Sequence, residues 1–194
     1  MSQRHDVTRV SMAFLLGFLY FLSEIALTVF RRARTGAAAG ADRGSLRLLW
    51  IVIMVSVMLA YALPGLLPWA QLRVPMLYRL GVALLIFGLG LRWYAIIWLG
   101  RWFTVNVAVA ADQPLVNTGP YAQVRHPSYT GALLAFAGIG LCIGNWVSML
   151  VVCIGPFLAF ARRMQVEEEA LVQGLGEPYR DYMRHTRRLV PGIY

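Results

Sequence analysis

The stretch QPLVNTGPYAQVRHPSY, residues 113–129, is a long run of polar and turn-forming residues between apolar segments. A second polar stretch, RRMQVEEE at residues 162–169, holds three of the nine acidic residues side by side. The sequence between them is apolar, is long enough for two passes through a bilayer, and has a Gly-Asn turn near its middle. We therefore expect a helical hairpin that brings the two polar stretches together at one membrane surface.

Composition favours an integral membrane protein over a soluble one. Of the 194 residues, 59% are hydrophobic and 14% are charged, too few polar side chains to cover a soluble globule. All the positive charges behind the net charge of +9 are arginines, which cluster at the ends of apolar segments, where lipid headgroups lie. Membrane topology therefore explains the charge better than nucleic-acid binding does. Cys142 and Cys153 lie in apolar runs without metal-ligand spacing and are interpreted as buried packing residues.

The hydropathy pattern predicts an all-α integral membrane fold with five transmembrane helices. The Pro64-Gly65 pair is expected to end the second span, and a polar loop separates spans three and four. The last span is expected to continue as an amphipathic helix to about residue 175, followed by an aromatic and basic tail that lies on the headgroups. The predicted spans cover about 11–30, 46–63, 77–99, 127–143 and 146–161.

The distribution of arginine predicts the orientation of these five spans. The face that holds the first connection, the loop at 100–126 and the C-terminus collects thirteen arginines, whereas the opposite face has four. By the positive-inside rule, the C-terminus and both polar stretches are cytoplasmic and the N-terminus is outside. We expect this placement in a bacterial inner membrane.

The residues of both polar stretches follow a known pattern. The sequence LVNTGPYAQVRHPSYTG at 115–131 precedes the predicted hairpin, ARRMQVEEEALVQGLGEPYRDY at 161–182 follows it, and RRLVP at 187–191 comes last. In this order and spacing they resemble the isoprenylcysteine carboxyl methyltransferase family and its integral-membrane phospholipid-methyltransferase relatives. The resemblance covers about residues 99–191. It implies a membrane methyltransferase that uses S-adenosylmethionine on a lipophilic acceptor in the membrane.

The resemblance also implies roles for individual residues. Arg163 corresponds to the family's substrate-handling arginine, and Glu167 to its cofactor-binding glutamate; since they stand at i and i+4, they share one helix face. We expect residues 1–99 to form the acceptor and lipid side and residues 100–194 the catalytic core, with Arg163, Glu167 and His126 as catalytic residues. The cofactor pocket implied by the family comprises Gln113, Pro114, Leu115, Val116, Tyr121, His126, Pro127, Ser128, Tyr129 and Glu167.

The identity of the methyl acceptor stays open between chemical classes. A carboxylate needs no general base, only a cation such as Arg163 to orient it, and a prenylcysteine-like carboxylate is the preferred interpretation. An amine of a phospholipid or a small thiol would need a base, for which His126, Glu167 and Glu168 are candidates. An NADPH-dependent membrane reductase and a non-catalytic membrane protein are the alternatives of other classes. The sequence predicts no oligomeric state and no metal.

Two charged residues fall inside predicted spans. Glu24 and Arg92 each lie about seven to eight residues from the cytoplasmic end of their spans, which at ~1.5 Å per residue places both ~10–12 Å deep. Equal depth favours an ion pair between the first and third spans at the floor of the acceptor cavity. The alternative is that Arg92 extends to the headgroups while Glu24 is bonded locally or protonated.

Overall fold

The computed structural model describes residues 17–18, 21–27, 44–72, 74–107, 109–110 and 112–194. Five helices are delimited there, and residues 17–18 and 21–27 are helical as well. Short 3₁₀ turns lie in the connections, at Pro68–Ala70, Gly100–Trp102 and Gly119–Ala122. The described ranges contain two isolated β-bridges and no β-strand. The helices are α1 Ser45–Leu66, α2 Pro75–Leu99, α3 Pro127–Ile143, α4 Trp146–Leu175 and α5 Glu177–His185.

Proline and glycine set the helix boundaries. Pro75 and Pro127 stand in the first turns of α2 and α3, where the missing N–H costs no helical hydrogen bond. Between α3 and α4, Gly144 adopts the left-handed conformation (φ 68°) and Asn145 caps α4 by accepting a hydrogen bond from the Ser148 N–H at 3.1 Å. The turn predicted at Gly144-Asn145 is therefore the junction of a tight helical hairpin.

Glycines allow α2 and α3 to pack in backbone contact. A Cβ on Gly88 would lie 2.5 Å from the Gly131 carbonyl oxygen, and one on Gly138 would lie 2.6 Å from the Gly81 carbonyl oxygen. The two pairs are seven residues apart on each helix, and the helices run antiparallel. Because no side chain stands between them, α2 and α3 form a closely packed pair that holds the start of α3 against the end of α2.

Helix α1 packs antiparallel along α4 and completes the core. A Cβ on Gly155 would meet the Ser56 Oγ at 2.2 Å, so the two helices approach closely there as well. The centre of the bundle is apolar and fully buried, with Leu85, Phe136 and Val152 among its members. Large apolar side chains on the outer faces are exposed, including Met58, Phe87 and Ile97, as expected where a helix faces lipid.

Three helical stretches in the described ranges are long and apolar enough to cross a membrane: Ser45–Leu66, Pro75–Trp102 and Trp146–Leu175. Helix α3, with 17 residues, is shorter. Most of the first predicted span, 11–30, lies outside the described residues. The all-helical, multi-pass membrane fold predicted from hydropathy is confirmed at this level.

Two predictions about local structure were wrong. Helix α1 continues through Pro64 to Leu66, because a proline in the last turn removes only one of the final helical hydrogen bonds. Cys142 and Cys153 are only half buried, since both lie on helix faces at the edge of the core.

Candidate active site

Two adjoining cavities lie at the ends of α2, α3 and α4. The larger, of about 280 Å³, extends between residues 17–18 and 21–24 and helices α1 to α4, and is called the membrane cavity below. The smaller, of about 80 Å³, lies among residues 102–107, 109 and 113–116, α4 and α5, and is called the loop cavity. They share a wall, to which Tyr121, Arg125, His126, Arg163 and Glu167 contribute side chains.

The loop cavity collects most of the residues predicted to bind a cofactor. Gln113, Pro114, Leu115 and Val116 line one side, and the Gln113 Oε1 accepts a hydrogen bond from the Ala110 N–H at 3.3 Å. Tyr121, His126 and Glu167 line the other side. The remaining predicted residues lie elsewhere: Ser128 and Tyr129 line the membrane cavity, and Pro127 is fully buried in the first turn of α3.

Arg163 is buried at the junction of the two cavities, with 2% of its surface exposed. Its Nη1 donates a hydrogen bond to the Ser45 Oγ at 2.6 Å, and its Nη2 donates to the Val105 carbonyl. These contacts join the first turn of α1, the loop after α2 and helix α4. The guanidinium is therefore held in a fixed orientation at the shared wall.

Glu167 stands one turn after Arg163 on the same face of α4, as the i, i+4 spacing predicts. The Tyr129 hydroxyl donates a hydrogen bond to Glu167 Oε2 at 2.8 Å. The ring of Tyr129 stacks on His126, with centroids 5.4 Å apart and planes inclined by 13°. His126 Nδ1 lies 4.0 Å from Glu167 Oε2. The first turn of α3 thus supports the carboxylate that faces both cavities.

Glu168 is the central acceptor of a buried ionic cluster directly behind the shared wall. Only 3% exposed, it accepts hydrogen bonds from Arg125 Nε at 2.8 Å and from Arg188 Nε and Nη2 at 3.0 and 2.7 Å. His126 Nε2 lies 3.1 Å from the same carboxylate. Hydrogen bonding to Glu168 raises the pKa of Arg188 above its usual range. Neither Arg125 nor Arg188 was predicted from the sequence to be part of the site.

The C-terminal tail packs against this cluster. The backbone N–H groups of Arg125 and His126 donate to the carbonyls of Arg187 and Arg188 at 2.8 and 2.9 Å. The Thr130 Oγ1 donates to the Leu189 carbonyl at 2.8 Å, and Leu189 is buried. The prediction of a tail lying on the headgroups was therefore wrong for these residues, because they pack against the start of α3 and the Glu168 cluster behind the shared wall.

Three buried tyrosines connect helix α5 to the loop before α3. The Tyr182 hydroxyl donates to the Tyr121 carbonyl, and Tyr121 donates to the Ala95 carbonyl at 3.3 Å. Burial raises the pKa of Tyr182 to about 12. Burial, with the nearby Glu167 carboxylate, also raises the pKa values of Tyr121 and Tyr179. All three phenols therefore stay protonated at neutral pH.

Gly119 fixes the path of the loop that carries Tyr121. Its φ of +58° is in the left-handed region, and an added Cβ would lie 2.3 Å from the Trp98 ring. The backbone therefore passes directly over the indole. Only glycine meets both conditions at this position.

Glu24 and Arg92 form the ion pair favoured from their equal depth. Two guanidinium nitrogens of Arg92 donate to the two carboxylate oxygens of Glu24, and Arg92 Nη1 donates to the Ser128 Oγ at 3.0 Å. All three residues line the membrane cavity. The pair therefore connects the N-terminal helical segment at 21–27 to α2 and α3.

Asn106 is a further polar residue of the loop cavity that sequence analysis did not identify. Its Oδ1 is buried, and among the described side-chain atoms it is the one buried oxygen or nitrogen without a hydrogen-bond partner. The Thr104 Oγ1 donates to the Asn106 carbonyl at 2.8 Å and so holds the turn. A buried acceptor of this kind favours a ligand that brings a donor.

The fold and this site define a class of multi-pass helical membrane protein in which a polar pocket adjoins an apolar cavity. The model of the isoprenylcysteine carboxyl methyltransferase (ICMT) family matches residues 81–173, which include most of α2, the loop, all of α3 and most of α4. Residues 81–173, just under half of the chain, are therefore similar to the ICMT family.

Individual relatives show the same similarity. Protein-S-isoprenylcysteine O-methyltransferase B of Arabidopsis thaliana is 34% identical over 58% of this chain and 58% of its own length. Protein-S-isoprenylcysteine O-methyltransferase of Schizosaccharomyces pombe is 35% identical over 53% of this chain and 44% of its own length. The chain thus spans about half the length of these two relatives.

A solved structure has the same fold. The eukaryotic intramembrane Ras methyltransferase ICMT (isoprenylcysteine carboxyl methyltransferase) superposes with a TM-score of 0.68 at 23% identity, over 97% of this chain and 68% of that one. The similarity therefore extends to the helices outside the region that the family model matches. It supports the arrangement of the helices around the two cavities.

Proposed function

We propose that this protein is a methyltransferase that transfers a methyl group from S-adenosylmethionine to the carboxylate of a lipophilic, prenylcysteine-like acceptor. The match of residues 81–173 to the ICMT family and the similarity to relatives named isoprenylcysteine O-methyltransferases support this reaction class. The observation that carries the proposal is the shared wall between the polar loop cavity and the apolar membrane cavity. Arg163, Glu167 and His126 all line that wall.

The loop cavity fits the donor by its chemistry. The buried Asn106 Oδ1 offers an acceptor to an amine or hydroxyl, and the Glu167 carboxylate offers a negative charge to a cationic group. S-adenosylmethionine would supply an electrophilic methyl on a sulfonium. We assign its binding to Gln113, Pro114, Leu115, Val116, Tyr121, His126 and Glu167. Tyr129 would act through its hydrogen bond to Glu167, and Ser128 through its bond to Arg92.

The acceptor carboxylate is oriented by Arg163. A guanidinium presents five N–H donors in a planar fork that matches a carboxylate, and Arg163 faces both cavities from a fixed position. A carboxylate held there needs no general base, because it is already the nucleophile. The apolar walls of the membrane cavity exclude water, which otherwise solvates the carboxylate and lowers its reactivity.

The proposal includes a topology. The predicted first span joins α1 to α4 to give five spans, with the N-terminus outside and the C-terminus and both cavities on the cytoplasmic side of a bacterial inner membrane. The two cavities differ in their lining: residues 1–99 and residues 100–194 contribute equally to the lining of the membrane cavity, whereas the loop cavity is lined almost entirely by residues 100–194.

Calorimetric titration of the detergent-purified protein with S-adenosylhomocysteine tests the donor site. We expect micromolar affinity that falls at least tenfold in Glu167→Gln and stays unchanged in Glu169→Gln, whose side chain is exposed on the same helix. NADPH is titrated in parallel. Binding of NADPH without S-adenosylhomocysteine would support a reductase instead.

Methyl transfer from radiolabelled S-adenosylmethionine tests the acceptor. S-farnesylthiopropionic acid should be converted to its methyl ester, and Arg163→Lys should lower kcat/KM by about 10–100-fold because a lysine cannot form the bidentate contact. Methylation of a phospholipid amine or a small thiol in place of the carboxylate would contradict the proposed acceptor while leaving the donor site intact.

A further inference from the structure

The membrane cavity is long and follows one helix face. Its lining residues on α1 recur at helical spacing, so that they form a single stripe from the first turn to near the last. From Leu46 to Tyr61, at ~1.5 Å per residue, this stripe is ~22 Å long. The stripe includes Leu46, Leu49, Trp50, Ile53, Val57 and Tyr61.

The two ends of the cavity differ in chemistry. Beside the start of α1 lie Arg163, bonded to Ser45, and Glu167. Towards the other end the lining is apolar, with Phe18 and Ile139 among its residues. Among the described lining residues of α1, Tyr61 is the furthest from the Arg163 end, and a Cβ built on Gly17 would lie 3.8 Å from its Oη.

We propose that the apolar part of the membrane cavity selects acceptors by the length of their hydrocarbon chain, and that Gly17 and Tyr61 are the residues that limit this length. This inference rests on the proposed function, because it places the reacting carboxylate at the Arg163 end. A chain that starts there and extends along α1 meets the Gly17–Tyr61 contact last. The side chains at these two positions therefore set which chain lengths fit.

The dimensions favour one class of chain. From Trp50, one turn beyond the carboxylate position, to Tyr61 the rise is ~17 Å. An extended chain advances ~3.5 Å per three bonds, so ~17 Å holds about fourteen bonds. A farnesyl chain, with about twelve carbons along its main chain, fits within this length, whereas a geranylgeranyl chain of about sixteen reaches past Tyr61. A geranyl chain leaves part of the cavity empty.

Comparison of kcat/KM among acceptors of different chain length tests the inference. The kcat/KM for methylation is measured with S-geranyl-, S-farnesyl- and S-geranylgeranylthiopropionic acid. The wild type should prefer farnesyl. In Tyr61→Ala the kcat/KM for the geranylgeranyl acid, divided by that for the farnesyl acid, should rise about tenfold. In Gly17→Leu the kcat/KM for the farnesyl acid, divided by that for the geranyl acid, should fall about tenfold. A few methylenes change kcat/KM by such factors.

Matched variants separate chain length from general damage. Gly90→Leu introduces the same side chain on α2 at a glycine with no atom within 4 Å of its Cβ position, and should leave both ratios unchanged. Unaltered S-adenosylhomocysteine affinity in Tyr61→Ala and Gly17→Leu shows that the variants are folded. If the ratios of kcat/KM are unchanged in both Tyr61→Ala and Gly17→Leu, the inference is wrong. If the wild type methylates none of the three acids yet binds S-adenosylhomocysteine, the proposed acceptor is wrong instead.

Discussion

At the scale of single residues, we expect substitution of Asn106 to weaken ligand binding without lowering stability. Its Oδ1 is buried without a partner in the described structure, so Asn106→Ala removes an unsatisfied group and should leave the free energy of unfolding unchanged or raise it by up to about 1 kcal/mol. The same change should weaken S-adenosylhomocysteine binding about tenfold, because the ligand loses an acceptor. Thermal unfolding and calorimetry on one preparation measure both. Asn117→Ala, at an exposed position of the loop, should change neither.

Adjacent arginines in the tail give a second residue-scale prediction. Arg188 donates two hydrogen bonds to buried Glu168, whereas Arg187 is exposed. Arg188→Ala should lower the free energy of unfolding by about 2–3 kcal/mol, since Glu168 keeps fewer cationic partners, and Arg187→Ala by less than about 0.5 kcal/mol. Denaturant unfolding in detergent checks this. Equal losses in the two variants would contradict a specific role for the Glu168 cluster.

Two kinds of contact were predictable from the sequence: those set by local spacing, and the Glu24–Arg92 pair, which follows from equal depth in the membrane. Arg163 and Glu167 are one helical turn apart, so their common face follows from the spacing alone. Glu168 and Arg188 are twenty residues apart and meet only because α5 reverses the chain after Gly176. Asn106 stands in a loop without a recognisable motif. No local pattern could have identified the Glu168–Arg188 contact or the buried Asn106 acceptor.

At the scale of elements, the closeness of α2 and α3 depends on glycine. Gly131→Ala places a Cβ 2.5 Å from the Gly88 carbonyl oxygen and 2.6 Å from the Arg92 backbone nitrogen, so the helices must separate. We expect a loss of about 1–3 kcal/mol or more in the free energy of unfolding. Gly90→Ala, on the same helix pair but with open space around it, should be neutral or stabilising by up to about 1 kcal/mol.

Separation of these helices should also affect the site. Gly131 is three residues after Ser128, whose hydroxyl binds Arg92, so Gly131→Ala moves the Glu24–Arg92 pair and the first turn of α3. Methyltransferase activity should therefore fall in Gly131→Ala and not in Gly90→Ala. Unchanged stability and activity in Gly131→Ala would show that the helices are not held in backbone contact.

Element boundaries were largely predictable because hydropathy, proline and glycine act locally. Helix α3 matches its predicted span, 127–143, since Pro127 begins it and Gly144 ends it. The partner of α2 was not predictable. Gly81 and Gly88 indicate a close contact, but only the structure shows that Gly138 and Gly131 of α3 oppose them.

At the scale of the whole molecule, the tail, the loop and α4 close around one buried polar cluster. Tyr121 lies in the loop, while Tyr179 and Tyr182 lie on α5, and burial raises the pKa of each above its usual value near 10. A raised folded-state pKa means that the unfolded chain binds fewer protons above pH ~10. The stability that these phenols contribute is therefore complete below pH ~10 and is lost at higher pH.

We accordingly expect the unfolding free energy to decrease from pH 10 to about 12, by up to about 1.4 kcal/mol per pH unit for each tyrosine that stays protonated. Tyr182→Phe loses the hydrogen bond to the Tyr121 carbonyl and should be less stable at pH 8, by about 1 kcal/mol. Because phenylalanine does not titrate, its deficit should shrink towards pH 12, where Tyr182 itself ionises. Thermal unfolding of both proteins at pH 8, 10 and 11 measures this convergence, and parallel curves would show that Tyr182 titrates normally in the folded protein.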